Sequence, residues 1–303
     1  MLSRAQVETF RKDGCLVVED VVPKATRDAV EVEYSVLMRA FAAKRGIAWQ
    51  GDFLETLRAV HDAGHDWFQA LDITLPGGVI AADTPFHYGP AVHDLLTCPA
   101  LLDIAESLVG PRITSTPIQH IRIKPPARTV AKGAPAHTVA TSWHQDRGVA
   151  HAEADETEMV TVWVAMTDAT PDNGCLVVQP MERGQRMLPH CPLEQTAIPP
   201  EMLDLRRARP LPVRAGGVVL LHPMIPHSAG DNVTDGFRWS FDLRYQTTGQ
   251  PTGRSHFPDF AARPGPAPDW RTVRQMWLDA RTRLAPELHI PIHRWTSTSP
   301  HCA

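Results

Sequence analysis

The constraint that most narrows the fold is a period-two pattern that sets in at Ile113 and runs to about residue 246. In 160–166, Val160, Val162, Val164 and Met166 fall on one side, and Thr161, Trp163 and Ala165 on the other. In 237–245, Trp239, Phe241, Leu243 and Tyr245 share one face, while Arg238, Ser240, Asp242 and Arg244 share the opposite face. Successive side chains of a strand point to opposite sides of a sheet, so each stretch reads as a strand with one wholly apolar face. The segments "ITSTPIQHIRIK", "CLVVQP" and "AGGVVLLHP" read as further strands, and "ATPDNG" as a turn. Before this region the period is helical: Ser3 caps a first helix, a second runs over 26–45, and two more patterns cover 53–71 and 90–109. "CLVVED" is a short strand between the first two helices, and Asp269 opens a closing helix.

Helices, then short antiparallel strands, then a helix predict a mainly β fold with flanking helices: a jelly roll covered by helices on one sheet. One domain is expected over 1–303, with helical support in 1–110, a β core in 111–246 and a C-terminal extension with a helix in 247–303. The apolar faces of 160–166 and 237–245 need a partner layer. The face with Arg238 and Ser240 lines a polar cavity, or else is solvated sheet.

The bulk composition excludes several classes. A net charge of −4 gives no support for general nucleic-acid binding. No apolar window long enough to span a bilayer exists, and the start is polar. Five cysteines, odd in number, widely spread and without C-x-x-C, predict free thiols in a cytoplasmic protein.

The run "ATSWHQDRG" places His144 and Asp146 two residues apart. About one His-x-Asp is expected by chance at this composition, so the pair acquires meaning only from its company. On a strand the two side chains project to the same side, where one cation can touch both. His151, His190, His222, His227 and His256 are the downstream candidates for a third ligand. His227 stands out at the end of a strand, in the turn-rich "PHSAGDN", whereas odd spacing turns His222 to the opposite face. Two imidazoles and one carboxylate on one face of a metal suit a non-haem Fe(II) oxygenase, because three positions stay open for a bidentate cosubstrate and O2. Arg238 follows His227 on the next antiparallel strand. Its guanidinium fork fits the distal carboxylate of 2-oxoglutarate, with the Ser240 hydroxyl on the same face, or it serves a structural salt bridge. Arg122, Lys124, Arg128 and Lys132 form a basic stretch that reads as a solvated loop or as a greeting for an anionic substrate, and "HAEADETE" reads as solvated loop. Gln119 is placed toward the cosubstrate, with its register open.

This conjunction resembles the phytanoyl-CoA dioxygenase family of Fe(II)/2-oxoglutarate oxygenases. "FRKDGCLVVEDVVP", "IRIKPP", "SWHQD", "VWVAMTDATPDNGCLVVQP", "GGVVLLHPMIPHSAGDN" and "FRWSFDLRYQ" carry the likeness, over residues of about 7 to 246. The resemblance implies a double-stranded β-helix (cupin-like), metal ligands at His144, Asp146 and His227, and Arg238 with Ser240 at the far carboxylate of 2-oxoglutarate. It also implies Trp163 and Thr161 in that pocket, with Fe(II), 2-oxoglutarate and O2 consumed in hydroxylating a small molecule, such as an acyl thioester, with release of succinate and CO2. Because Asp146 is present, halogenation is disfavoured; desaturation, epoxidation or ring closure remain open. Residues 47–90 and 247–303 match none of its motifs and are expected to shape substrate binding. A cupin-like metalloenzyme without 2-oxoglutarate (an isomerase or hydrolase) and a noncatalytic jelly-roll binding module are the competing readings.

Overall fold

A computed structural model describes residues 1–49, 51–131, 140–182, 184–193, 195–298 and 300–302. Lys132 and the rest of 132–139, half of the Pro- and Ala-rich 125–140 stretch, lie outside them. The chain runs α1 (Arg4–Asp13), β1 (Cys15–Val18), α2 (Lys24–Ala43), α3 (Phe53–Asp62), α4 (Phe68–Leu71), α5 (Pro90–Leu96), α6 (Pro99–Val109), β2 (Ile113–Ser115), β3 (His120–Lys124) and β4 (Thr141–His144). It continues through β5 (Met159–Ala165), β6 (Leu176–Val178), β7 (Cys191–Pro192), β8 (Thr196–Ala197), β9 (Arg209–Leu211), β10 (Val218–Leu221), β11 (His227–Ala229), β12 (Arg238–Thr247), β13 (Phe260–Arg263) and α7 (Trp270–Leu284).

The first helix carries the capping box at Ser3 and Gln6 and stops at Gly14, whose φ of 76° accepts the left-handed turn. Three expected elements are split. The 53–71 pattern breaks after Asp62, the 90–109 pattern breaks before Pro99, and the 113–124 strand breaks around Pro117. In the last two a proline accounts for the break, because its missing N–H and fixed φ interrupt a ladder. Asp269 caps α7 through the N–H groups of Arg271 and Thr272, as expected.

Two sheets face each other as a double-stranded β-helix. The larger orders β1-β10-β5-β12-β2-β13 with β3 also on β12; the smaller orders β4-β11-β6-β9. The long strand β12 is central: Leu243 opposes Val162 of β5, and Arg238, Ser240 and Asp242 oppose Lys124, Arg122 and His120 of β3. Its apolar face is buried under the helices. Tyr34 of α2 meets Trp239 at 5.4 Å and Phe241 at 5.9 Å between ring centroids, and its hydroxyl donates to the Leu71 carbonyl at 3.0 Å. Val160, Val162 and Val164 are fully buried in the same layer, each contributing roughly 1.5–3 kcal/mol. A second apolar layer, with Leu176, Val178, Val219 and Leu221, fills part of the space between the sheets.

The expectation of free thiols fails at one pair. Cys191 of β7 is bonded to Cys302, 111 residues on, while Cys15, Cys98 and Cys175 are buried and free. Spacing along the chain does not reveal that the C-terminal tail returns to β7, so the thiols carry no argument for a reducing compartment. Among the described residues no helix is long and apolar enough to cross a membrane.

Candidate metal and cosubstrate site

A cavity of about 370 Å³ opens between the sheets, lined from the large sheet by Arg122, Lys124, Trp163 and Arg238, and from the small one by His144 and His227. The solvated alternative for the second face of β12 is thereby set aside: Arg238, Ser240 and Arg244 are all under 5% exposed.

His144 ends β4 and His227 begins β11, and the two are register partners. Cross-strand pairing therefore does what sequence distance hides, bringing the ring centroids to 4.2 Å. Asp146 is not on the strand as expected, but at the start of a 3-10 turn. Gln145 before it keeps extended dihedrals, which returns the carboxylate to the side of His144. Asp146 Oδ1 lies 3.7 Å from His144 Nε2 and 3.9 Å from His227 Nε2. These three residues are the group of donors, among the described residues, that could hold a metal ion. Each imidazole is oriented from behind. Nδ1–H of His144 donates to the Ser142 carbonyl at 2.8 Å, and that of His227 to the Ile225 carbonyl at 3.1 Å. A carbonyl can only accept, so both Nε2 atoms are left with a free lone pair for a cation. Burial and the neighbouring His227 pull His144 down to about 3, so it stays neutral at physiological pH. Gln145 locks the turn: its N–H donates to His190 Nε2 at 3.0 Å, and its amide donates to the carbonyls of Arg186 and Met224.

The carboxylate is also held. Thr161 Oγ1 donates to Asp146 Oδ2 at 2.5 Å, and Arg244 donates to Asp146 Oδ1 through Nη2 and to Thr161 Oγ1 through Nε at 3.2 Å. Burial pushes the Asp146 carboxyl up, but Arg244 and the two imidazoles outweigh it and hold it below the usual carboxylate range. Thr161 thus does not border the cavity, as the family likeness implied; it fixes the carboxylate behind it. Substituting Thr161 with valine is expected to lower iron affinity ten- to hundredfold, the usual cost of losing an outer-shell hydrogen bond, in a competitive chelator titration. An unchanged affinity would mean that Arg244 alone fixes Asp146.

At the other end of β12, Arg238 is 3% exposed and has no carboxylate partner among the described residues. Its Nη1 donates to Ser240 Oγ at 2.7 Å, its Nε has no partner, and its Cζ stands 5.1 Å from the Trp163 ring centroid. Burial and Arg122 pull its pKa down to about 10, which still leaves it charged. Among the described residues the internal salt bridge weighed for this residue is absent, and a buried guanidinium without an anion is costly. Ser240 is fully buried and acts by holding Arg238, itself donating to the Arg122 carbonyl at 3.3 Å.

Gln119 is corrected. Its amide donates to Ser115 Oγ and to the Thr116 carbonyl, and it borders a separate small space beside Tyr88 and Phe260. The break around Pro117 resets the strand, and the even positions His120, Arg122 and Lys124 take the cavity side. Arg122 and Lys124 are therefore cavity walls and not the solvated loop of the sequence reading, whereas exposed Arg128 pairs with Asp235 at 2.6 Å. The remaining histidines stay apart from the donors: His222 accepts the Met224 N–H, His190 serves Gln145, and His151 donates to the Pro291 carbonyl. Arg244 had no role in the sequence reading, although its place on the polar face of β12 was a usable signal. Arg254 and His293, also on the cavity wall, come from the C-terminal region that matched no motif.

Residues 10–240 match the model of the family described as phytanoyl-CoA dioxygenase (PhyH). The human peroxisomal phytanoyl-CoA dioxygenase is 24% identical over 252 residues, covering 81% of this chain and 68% of that protein. Among solved structures, the non-heme monooxygenase ThoJ in its apo form superposes with a TM-score of 0.61 at 20% identity, covering 93% of this chain and 98% of its own. The epimerase SnoN, in complex with Fe3+, α-ketoglutarate and nogalamycin RO, gives 0.53 at 21% identity, with 83% and 87% covered. Those structures carry the same fold. With the family match over most of the chain, the donor set is that of an Fe(II)- and 2-oxoglutarate-dependent oxygenase, and the chain belongs to the phytanoyl-CoA dioxygenase family.

Proposed function

We propose that the whole chain acts as one oxygenase domain that hydroxylates a C–H bond of a small organic substrate. His144, Asp146 and His227 hold Fe(II), and Arg238 with Ser240 receives the far carboxylate of 2-oxoglutarate. The single observation that carries this reading is the buried Arg238, without a carboxylate partner among the described residues, in the same cavity as three converging donors. Fe(II) bound there supplies, with 2-oxoglutarate and O2, the oxidising power for attack on a C–H bond, with succinate and CO2 as by-products. The protein's own part is placement and exclusion of water. Trp163 covers the guanidinium and strengthens its hold on an anion, and Thr161 and Arg244 keep Asp146 aimed at the ion.

Succinate formation dependent on Fe(II) and 2-oxoglutarate, screened against a library of small metabolites, tests the reading. A product heavier by one oxygen is the expected result. A product isomeric with its substrate would contradict hydroxylation while leaving the cosubstrate assignment standing.

The cosubstrate end carries a pH dependence. Burial and nearby Arg238 pull Lys124 down to about 7. A dianion beside it raises that value, so 2-oxoglutarate binds best below pH 7 and loses affinity as pH rises through 7. Calorimetric titration from pH 6 to 9 checks the slope, and a Lys124→Met variant is expected to flatten it. An equal slope in that variant assigns the dependence to another group.

A further inference from the structure

Besides Arg238 and the Asp146-paired Arg244, the cavity wall holds a third buried guanidinium that the cosubstrate does not use. Arg254 is 8% exposed and lines the cavity wall. Its side chain makes one hydrogen bond among the described residues, from Nη2 to the Val149 carbonyl at 2.6 Å. Its Nε is buried without a partner, and no carboxylate pairs with it among the described residues. The backbone brings it there deliberately. Gly253 has a φ of 72°, and a Cβ on it would stand 2.7 Å from the Cβ of Ala150, so only glycine lets this segment close against 149–151, just past the metal motif. Burial and Arg244 depress Arg254 to about 9, leaving it charged at neutral pH.

Arg254 and Arg238 serve different ends of the cavity. Arg254 donates to the Val149 carbonyl, just past the metal motif, whereas Arg238 donates to Ser240 beside the Trp163 ring and lies opposite Lys124 of β3. Arg238 and Arg244 are six positions apart on β12, about 20 Å along the strand. A five-carbon dicarboxylate seated on Arg238 spends its other end on the metal, and so leaves Arg254 unneutralised. The charge balance agrees. Once the Arg244–Asp146 pair is set aside, four cationic side chains (Arg122, Lys124, Arg238 and Arg254) face one carboxylate, Asp242, on the cavity wall. Fe(II) and the 2-oxoglutarate dianion cancel each other, so the loaded cavity stays cationic. Beside Arg254 the wall carries His293, whose buried Nδ1 also lacks a partner.

We propose that the substrate is an organic anion whose carboxylate or phosphate docks on Arg254, with His293 beside it. This rests on the oxygenase reading of the same site, and it narrows the small-molecule substrate of that reading to a charged one. A guanidinium fork matches both oxyanions, and the placement of Arg254 against Val149, with Arg238 on Ser240, gives substrate and cosubstrate separate subsites.

The test uses protein loaded anaerobically with Fe(II) and 2-oxoglutarate, whose visible charge-transfer band reports the metal centre. Hexanoate, hexyl phosphate and neutral hexanamide are titrated as probes, and binding is read from perturbation of the band and by ligand-observed NMR. At least one of the two anions should bind tenfold or more tightly than hexanamide, and which anion is preferred separates carboxylate from phosphate substrates. The Arg254→Gln variant should lose that preference and keep the band, and Arg254→Lys should keep part of the preference. Equal binding of amide and anions to the wild type would overturn the proposal, as would anions that act only by displacing 2-oxoglutarate, or a preference that survives in Arg254→Gln. Loss of the band in Arg254→Gln would move the cosubstrate to this arginine and equally overturn it. Failure of wild-type protein to form any band would strike the oxygenase reading instead, and the wild-type comparison of anion with amide by NMR then decides this proposal by itself.

Discussion

The His227→Ala variant is expected to lose 2-oxoglutarate turnover entirely, with succinate formation falling to the level of protein-free controls. His227 and His144 face each other across β4 and β11, and both Nε2 atoms aim at Asp146 Oδ1. Removing one leaves two donors on a cation that the fold offers three, and the open position fills with water and not with a protein ligand. His222→Ala is the matched control. That imidazole accepts a backbone N–H and leans on Phe10 at 6.2 Å, so its loss should cost stability and leave turnover in place. The opposite pattern, with activity kept in His227→Ala and lost in His222→Ala, would transfer the third ligand to His222.

Arg238→Leu is expected to weaken 2-oxoglutarate by about 2–4 kcal/mol, the range for truncating one partner of a buried, hydrogen-bonded charge pair. At 1.4 kcal/mol per tenfold, that is roughly thirty- to several-hundredfold in Kd, measurable by anaerobic calorimetry. The same substitution carries a second sign. In protein without cosubstrate the guanidinium is buried with a serine hydroxyl as its one hydrogen-bond partner among the described residues, and replacing an unpaired buried charge by an apolar group of similar size tends to stabilise. The ligand-free variant should therefore melt no lower than wild type, while 2-oxoglutarate stabilises it less. A lowered melting temperature without ligand would indicate that Arg238 is a structural residue.

What could be read from the sequence had a local physical cause. The faces of β12 were legible because Trp239, Phe241, Leu243 and Tyr245 need helices over them, whereas Arg238 and Ser240 need polar company. The His-x-Asp pair was legible through strand alternation, even though Asp146 sits in a turn. Long-range features were not legible. Nothing local pairs Cys191 with Cys302, and nothing local distinguishes a buried Lys124 from a solvated one, since its Nζ is buried against the carbonyls of Ala229, at the end of β11, and Gly230, just past it. Gln119 was misplaced because the break around Pro117 resets the alternation. Arg254 had no pattern to mark it at all; its position follows from the close passage of Gly253 over Ala150.

The reading depends on one ion and one dicarboxylate meeting in this cavity. Anaerobic addition of Fe(II) and then 2-oxoglutarate to the metal-free protein, followed by visible spectroscopy, examines that meeting without any knowledge of the substrate. A charge-transfer band should appear that requires both additions, vanishes in His227→Ala and needs far more 2-oxoglutarate in Arg238→Leu. Iron uptake with no band at any 2-oxoglutarate concentration would contradict the account.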